Sequence, residues 1–374
     1  MRLRTILNLV DDVSPVNYGI WHAAIATSAE LWEKYGIQSW LISPFFDPSF
    51  DANRFPWLRI FRPDSLDAVA AKKFFAGFNP QETVVATHGC WKYPTRWGRA
   101  ARTLGFPWVY TPHGMLEPWS MEQKAWKKIP YFLLVEKRFA LKASLVRAVG
   151  QPELENLKKH FPAAVHIPNG IYQSALNPLS RGEASFQSGS RNHFLFLARL
   201  HFKKNVLPLA EAWVQSSLSG QPGCALRIAG TDDGEQQVLE AFIRKNPEAG
   251  ISFLGPVFGE KKKELLADSD FYLLPSLSEG FPTSVVEAAG AGLICLISQG
   301  CNFPELLKAG AAMDTGTSVA SIRQALEAAA EMEDSQRNLM QQKARQLIEA
   351  NFVWEEIAQQ QASCYAALFH TQKV

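Results

Sequence analysis

The chain has 374 residues, 47% of them hydrophobic and 20% charged, with a formal net charge of +2. That length exceeds one ordinary core and predicts two domains, and the composition is an ordinary globular balance with no sign of extended disorder. The five cysteines (Cys90, Cys224, Cys295, Cys301, Cys364) are odd in number and scattered, with no CxxC pair, which argues against a disulfide framework or a zinc site and for a reducing compartment.

The near-neutral total hides an asymmetry. Residues 1–175 hold 21 Lys and Arg against 14 Asp and Glu, and the remainder holds 17 against 22. The halves are expected to be different domains with different partners. At the N-terminus, the short apolar run of MRLRTILNLVDDV stops at two aspartates, so it reads as a first strand and not as a signal peptide. Nowhere do apolar residues run long enough to cross a bilayer. The expectation is a soluble, cytoplasmic protein.

In chain order, RTILNLV is a strand, VNYGIWHAAIATSAELWEKYG a loop leading into an amphipathic helix, and QSWLISPF a second strand. Apolar runs recur at Glu82–Thr87 and Pro107–Thr111, each followed by a His-Gly pair, His88-Gly89 and His113-Gly114. Further runs at Ser144–Val149 and Ala164–Ile167 follow, the latter ending in the turn signature Pro168-Asn169-Gly170. Strands alternating with helices, without hairpin signals, predict a parallel α/β sheet. The polar segment 172–190, rich in Ser and Gly, reads as a linker. A second series then begins: HFLFLARL, the helix VLPLAEAWVQ, CALRIAG, ISFLG, FYLLP and GLICLIS. The last fifty residues read as helical. Two Rossmann-like halves with a cleft between them is the architecture this predicts.

The stretch Phe271–Gly290, FYLLPSLSEGFPTSVVEAAG, organises the second half. A buried strand feeds a Gly-Phe-Pro turn and then a helix, the place where open α/β sheets bind ligands. Glu279 stands on the turn and Glu287 one helical turn beyond it. Ser284 to Glu287 has the spacing of a capping box, in which Glu287 would serve only a backbone N–H. Arg199 lies at the end of the strand HFLFLARL and Lys204 five positions on. A guanidinium and an ammonium converging there would hold a diphosphate; a solvated basic loop is the plain alternative, since Lys203 adjoins. Asp232-Asp233 in TDDG reads as a turn rather than a metal site. Trp119 to Lys142 mixes Lys, Arg and Trp with apolar residues. It could rest on an anionic membrane, but amphipathicity is ordinary in globular helices, and a surface helix broken at Pro130 with its aromatics in the core is favoured. No other basic stripe interleaved with aromatics occurs, so nucleic-acid binding is not expected.

These pieces together resemble glycosyltransferase family 4, retaining enzymes of the GT-B architecture. Glu279-Gly280-Phe281-Pro282-Thr283-Ser284-Val285-Val286-Glu287 looks like that family's E-x7-E signature. Arg199-Leu200 with Lys203-Lys204-Asn205 resembles its R-L-x-x-x-K-G element, with Asn205 where Gly is usual. His113-Gly114, Pro168-Asn169-Gly170, Phe253-Leu254-Gly255 and Phe352-Val353-Trp354 resemble further family elements, so the likeness spans nearly the whole chain.

The resemblance implies an α/β GT-B fold, two Rossmann-like domains with parallel sheets facing a central cleft. It places an acceptor-side domain at 1–171, a donor domain at 191–354, and a C-terminal helix, 355–374, returning to the first. It implies that Arg199 and Lys204 hold the donor diphosphate, Glu287 the ribose hydroxyls, and the main chain around Leu254 the base. The turn Gly280, Phe281, Pro282, Thr283 and Ser284 would read the sugar, through the backbone N–H groups of Gly280, Phe281 and the neighbours of Pro282. Glu279 would sit beside the transferred hexose, with His113 of the His113-Gly114 pair reaching it from the first domain. No metal is required by that chemistry; a UDP-sugar is the favoured donor, a glycan or lipid-linked glycan the acceptor. A GDP-sugar transferase, or a hydrolysing sugar-nucleotide epimerase, is the alternative. Where the family's first loop carries a Gly pair, Asn17-Tyr18-Gly19-Ile20 retains only Gly19. Asn302 stands where Gly is frequent, and the sequence offers no function for it.

Overall fold

The computed structural model describes residues 2–176 and 192–370. Most of the 172–190 linker reading therefore lies outside the described residues. The chain divides into two compact units, Met1–Gly170 with Trp354–Val374, and Ile171–Val353.

The first unit is built on a seven-stranded parallel sheet. Its strands are β1 (Thr5–Val10), β2 (Gln38–Ile42), β3 (Leu58–Phe61), β4 (Thr83–His88), β5 (Trp108–Thr111), β6 (Leu145–Ala148) and β7 (Val165–His166), in the order β3-β2-β1-β4-β5-β6-β7. β4 is buried at every position, as a central strand covered on both faces must be. Alternation along β1 sends Ile6 to one face and Leu7 to the other. Ile6 joins Val84 and Val109 under the helix Trp354–Ala367, whose Ile357, Ala358 and Tyr365 complete that core. Leu7 joins Val85, Phe75 and Trp97 on the opposite side.

The second unit repeats the plan with six strands: β8 (Asn192–Leu197), β9 (Cys224–Ala229), β10 (Ile251–Phe253), β11 (Phe271–Leu274), β12 (Ile294–Ile297) and β13 (Ala312–Asp314), ordered β10-β9-β8-β11-β12-β13. In each sheet the chain runs outward from the first strand, then returns to continue on its other side. That reversal opens a crevice at the carboxyl ends of the two central strands, β1 and β4 in one unit and β8 and β11 in the other. Where the chain leaves the first unit and where it re-enters it, the two passes are tied together: Ile171 N–H donates to Phe352 O at 2.8 Å, beside a parallel bridge between Ile171 and Val353.

Three local expectations are corrected. The single helix expected before Gly36 is two, Tyr18–Ile25 and Ser28–Tyr35. Side chains at the break are used elsewhere: Ser28 Oγ donates to Ile25 O, and Thr27 Oγ1 to Gln361 Oε1 at 2.7 Å. Pro130 does not break its helix: Ala125–Tyr131 runs through it into a π-helical turn, Phe132–Glu136. Nor do the aromatics there all enter the core. Phe132 is buried, but Trp126 is 74% exposed.

Candidate active site

Two loops beside the β8–β11 crevice carry the charged groups. Leu277 N–H donates to Lys203 O at 2.7 Å, which stitches the loop after β11 to the loop after β8. The stitch brings Lys204 Nζ to 2.5 and 2.7 Å from the two oxygens of Glu279. Both side chains are nearly enclosed, at 12% and 7% exposure. Ser276 Oγ donates to Glu279 Oε1 at 2.5 Å. Burial pushes the Glu279 carboxyl up, but the charges of Lys204 and Lys203 and the two side-chain hydrogen bonds outweigh it and hold the group below its ordinary value. Burial lowers the Lys203 ammonium, against the pull of the same carboxylate.

A third loop fixes the backbone of Glu279. Its N–H donates to Gly300 O at 2.8 Å, and Asn302 Nδ2 donates to its carbonyl at 2.5 Å. Asn302 does this from a left-handed conformation, φ +55, which Asn tolerates better than most residues. No side chain fits at Gly300, where a Cβ would lie 2.3 Å from Ser276 O and 2.6 Å from Leu277 O. Glu279 is thus held at its carboxylate, its N–H and its carbonyl.

The other acids and cations of this unit take different partners. Arg199 Nη1 pairs with Asp233 Oδ2 at 2.8 Å, both about two-fifths exposed. Asp232 caps the turn, its Oδ1 accepting from Gly234 N at 2.9 Å and Gln236 N at 3.1 Å. Glu287 accepts from Lys262 Nζ at 2.5 Å. The capping-box spacing is therefore not realised: the helix Thr283–Gly290 is preceded by Pro282, and Ser284 Oγ lies 2.7 Å from Tyr272 OH, which donates to Leu197 O at 2.9 Å. At the start of that helix Thr283 N–H donates to Phe281 O, while the N–H groups of Gly280, Phe281 and Ser284 make no hydrogen bond among the described residues. Leu254, 45% exposed, donates its N–H to Ile228 O at 2.8 Å; its carbonyl accepts none among the described residues.

In the first unit His113 follows β5 in a left-handed turn, φ +54, with Gly114 at φ +74. Gly114 N–H is committed to Glu153 Oε1 at 2.6 Å, and Glu153 Oε2 takes Val149 N–H at 2.7 Å. Burial raises the Glu153 carboxyl to about 7 despite those two donors. Burial and the nearby Arg147 guanidinium lower His113 to about 3, so its ring is neutral at ordinary pH. Gly19 lies exposed on the helix Tyr18–Ile25. Among the described residues no three His, Cys, Asp or Glu side chains gather as metal ligands, and no helix is long and apolar enough to cross a membrane.

Sequence reasoning missed Ser276 and Lys262, and gave Lys203, Asn8, His88, Glu153 and Asn302 no role. The repeated His-Gly pairs were a signal for His88, and an acid in the first turn of the helix Gln151–Lys158 was one for Glu153. Neither signal names a partner.

Comparison with known proteins covers both units. A model described as Glycosyltransferase Family 4 matches residues 24–174, and one described as Glycosyl transferases group 1 matches residues 181–347. The amylovoran biosynthesis glycosyltransferase AmsK of Erwinia amylovora is 33% identical over 121 residues, 30% of this chain and 29% of its own. The chain spans less than half the length of each curated relative it matches. Among solved structures, a glycosyltransferase from Rickettsia africae ESF-5 aligns over 100% of both chains with a TM-score of 0.79 at 15% identity. The HepE protein of Anabaena, crystallised with UDP and glucose, aligns over 97% of this chain and 100% of its own with a TM-score of 0.74 at 18% identity. The fold is GT-B, and the chain belongs to the glycosyltransferases that join a family 4 domain to a group 1 domain.

Proposed function

We propose that the protein is a retaining hexosyltransferase that moves a hexose from a UDP-sugar to a growing polysaccharide or a lipid-linked glycan. The observation that carries this reading is the enclosed Glu279–Lys204 pair beside a helix start with three uncommitted N–H groups. Such a helix start favours phosphate, and an ammonium beside it adds a full charge. Arg199 is available to join it, because an exposed pair such as Arg199–Asp233 is worth about 0–1 kcal/mol and is cheaply traded. Glu287 has one oxygen held by Lys262, which leaves the other for a ribose hydroxyl.

In the reaction the bond between the sugar's anomeric carbon and the diphosphate oxygen breaks as the acceptor oxygen bonds the same face. The acceptor proton passes to the departing diphosphate. Lys204 and Arg199 stabilise the charge that develops there, worth about 2.7–4 kcal/mol for one well-placed donor in comparable sites. Glu279, with both oxygens engaged, orients the sugar and is not a covalent nucleophile; His113 is assigned to the transferred hexose. This assignment puts charge stabilisation on side chains in place of a metal, so turnover in excess EDTA is expected to be unchanged.

The acceptor is assigned to the first unit. A cavity of about 520 Å³ lies there at the carboxyl ends of β1, β2 and β4, lined by Asp11, Asp12, Trp91, Arg96 and Tyr131 among others. Carboxylates for sugar hydroxyls and aromatic faces for pyranose rings suit a glycan. In the segment that carries Tyr131, Trp126, Leu134 and Leu141 are 74, 60 and 57% exposed, and Lys124, Lys127 and Lys142 lie close by in sequence. That mixture suits the surface of an anionic membrane at the cytoplasmic face.

A screen of UDP- and GDP-sugars scored by nucleotide release tests the reading. Slow UDP release without acceptor is expected. GDP release would move the assignment to a mannosyl-type transferase, and altered free sugar without acceptor to an epimerase. Absence of UDP and GDP binding by titration calorimetry, with Arg199→Ala no different, refutes it.

A further inference from the structure

Three side chains of the first unit form a line that ends on His113. Asn8 lies on β1 and His88 at the end of β4, its neighbour in the sheet, while His113 follows β5. Asn8 Nδ2 donates to Trp40 O at 3.2 Å, Asn8 Oδ1 lies 3.2 Å from His88 Nε2, and His88 Nδ1 lies 2.9 Å from His113 Nε2. Asn8 and His88 are buried, and His113 is half-buried.

One end of this line is not free to choose. Trp40 O is a backbone carbonyl and can only accept, so the Asn8 atom facing it is the amide nitrogen. The Asn8 oxygen then faces His88, and His88 Nε2 must carry a proton. A neutral His88 therefore presents a bare lone pair at Nδ1, which can only accept, so His113 Nε2 carries a proton as well. The remaining nitrogen, His113 Nδ1, is left as a lone pair with no hydrogen-bond partner among the described residues. Running the line in reverse would turn the Asn8 amide over and set two oxygens against each other inside the sheet, leaving buried polar atoms unsatisfied. A cationic ring is disfavoured at either position: burial lowers both imidazoles, His113 and Arg147 bear on His88, and Arg147 bears on His113. Arg147 is fixed where it stands by Ile167 O and Pro168 O, both at 2.9 Å.

We propose that Asn8 and His88 are positioning residues that lock His113 as its Nε2–H tautomer, so that His113 meets its ligand as a hydrogen-bond acceptor for a hydroxyl group. Glu153 holds the backbone of the same turn through Gly114 N–H, so ring and main chain are fixed by different elements. The functional part of this proposal rests on the assignment of His113 to the transferred hexose. A sugar hydroxyl is a donor that such a nitrogen can take, whereas a phosphate oxygen, an acceptor only, is refused.

Long-range proton–nitrogen correlation NMR on the full chain labelled with ¹⁵N-histidine reads the tautomers directly. His113 is expected to show a protonated Nε2 and a bare Nδ1, without titration from about pH 8 down to about pH 5. A protonated Nδ1, or titration near the ordinary imidazole range, overturns the proposal. In donor turnover, His88→Leu is expected to scramble the His113 tautomer and lower kcat about tenfold, the scale on which losing a histidine's orienting partner acts. His88→Gln, whose amide offers one acceptor and one donor, is expected to restore most of both. Equal loss in the two variants overturns the positioning role. If the tautomer is as stated but His113→Ala leaves nucleotide-sugar turnover intact, the functional assignment fails while the tautomer lock stands.

Discussion

Replacing Lys204 by Met tests whether Glu279 is held as a buried ion. Met keeps most of the length of the lysine stem and removes the ammonium that lies 2.5 and 2.7 Å from the carboxylate. Glu279 is 7% exposed, so the charge left behind is enclosed, and breaking a buried pair from one side costs about 3–5 kcal/mol. For a cooperative unit of this size each kcal/mol is about 2–4 °C, so Tm is expected to fall by roughly 6–20 °C. The dependence on pH separates this from a packing loss. In the wild type the carboxyl sits below its ordinary value of 4.5, so the pair stabilises above that value and is lost as pH falls through the depressed pKa. In Lys204→Met only Lys203 and Ser276 still oppose burial, and the carboxyl moves up. The penalty is then greater near pH 8 than near pH 5, because protonation of the unpaired Glu279 relieves it as pH falls. Urea unfolding at both pH values measures it, and Lys204→Met with Glu279→Gln is expected to recover all but about 1–2 kcal/mol. A penalty equal at both pH values, with no recovery in the double variant, refutes the buried ion.

Asn302→Ala is expected to lose about 2 kcal/mol in urea unfolding, from the hydrogen bond to Glu279 O and from a left-handed φ of +55 that alanine resists. Asn302→Gly relieves the second contribution and is expected to lose only about 1 kcal/mol; the opposite order removes the strain argument. Gly300→Ala drives a Cβ against Ser276 O and Leu277 O, and the displaced Glu279 loop is expected to weaken UDP binding by at least about tenfold in calorimetry. Unchanged binding would mean that the three-loop clamp does not shape the site. Glu153→Gln is read against pH. The folded-state value of about 7 lies above the ordinary 4.5, so wild type loses roughly 3 kcal/mol of stability as pH rises across that interval. The Gln variant is expected to lack this slope; His113, whose lowered pKa acts in the opposite sense below 6.5, is present in both proteins and cancels in the difference.

The alternation of strands and helices was legible because the central strands are continuous apolar runs that both faces bury. β4, β11 and β12 are enclosed at every position, and no surface constraint interrupts their hydrophobicity. β3 and β13 escaped notice for the converse reason. Each is an edge strand of three or four residues, partly open to solvent, and LRIF or AMD carries no pattern that a loop would lack. The helix break after Ile25 was hidden because its cause is tertiary: Thr27 reaches Gln361, 334 positions away.

The candidate site was legible to the same depth and stopped at the same point. Glu279 and Lys204 could be named because each follows a strand that flanks the reversal in its sheet, and that position is set by local pattern and the handedness of crossovers. Which cation takes which acid is set by the lateral distance between loops, about which residue spacing is silent. Arg199 and Lys204, five positions apart, were read as a pair on one diphosphate, yet one faces Asp233 and the other Glu279. Those two pairings differ in kind. The exposed one can be given up at little cost, whereas the enclosed one cannot be opened without burying a lone carboxylate. A diphosphate entering beside Lys204 must therefore share the ammonium with Glu279 rather than take it. On the proposed function, the acid then remains ionised beside the transferred sugar, the state that orienting a hexose would require of it.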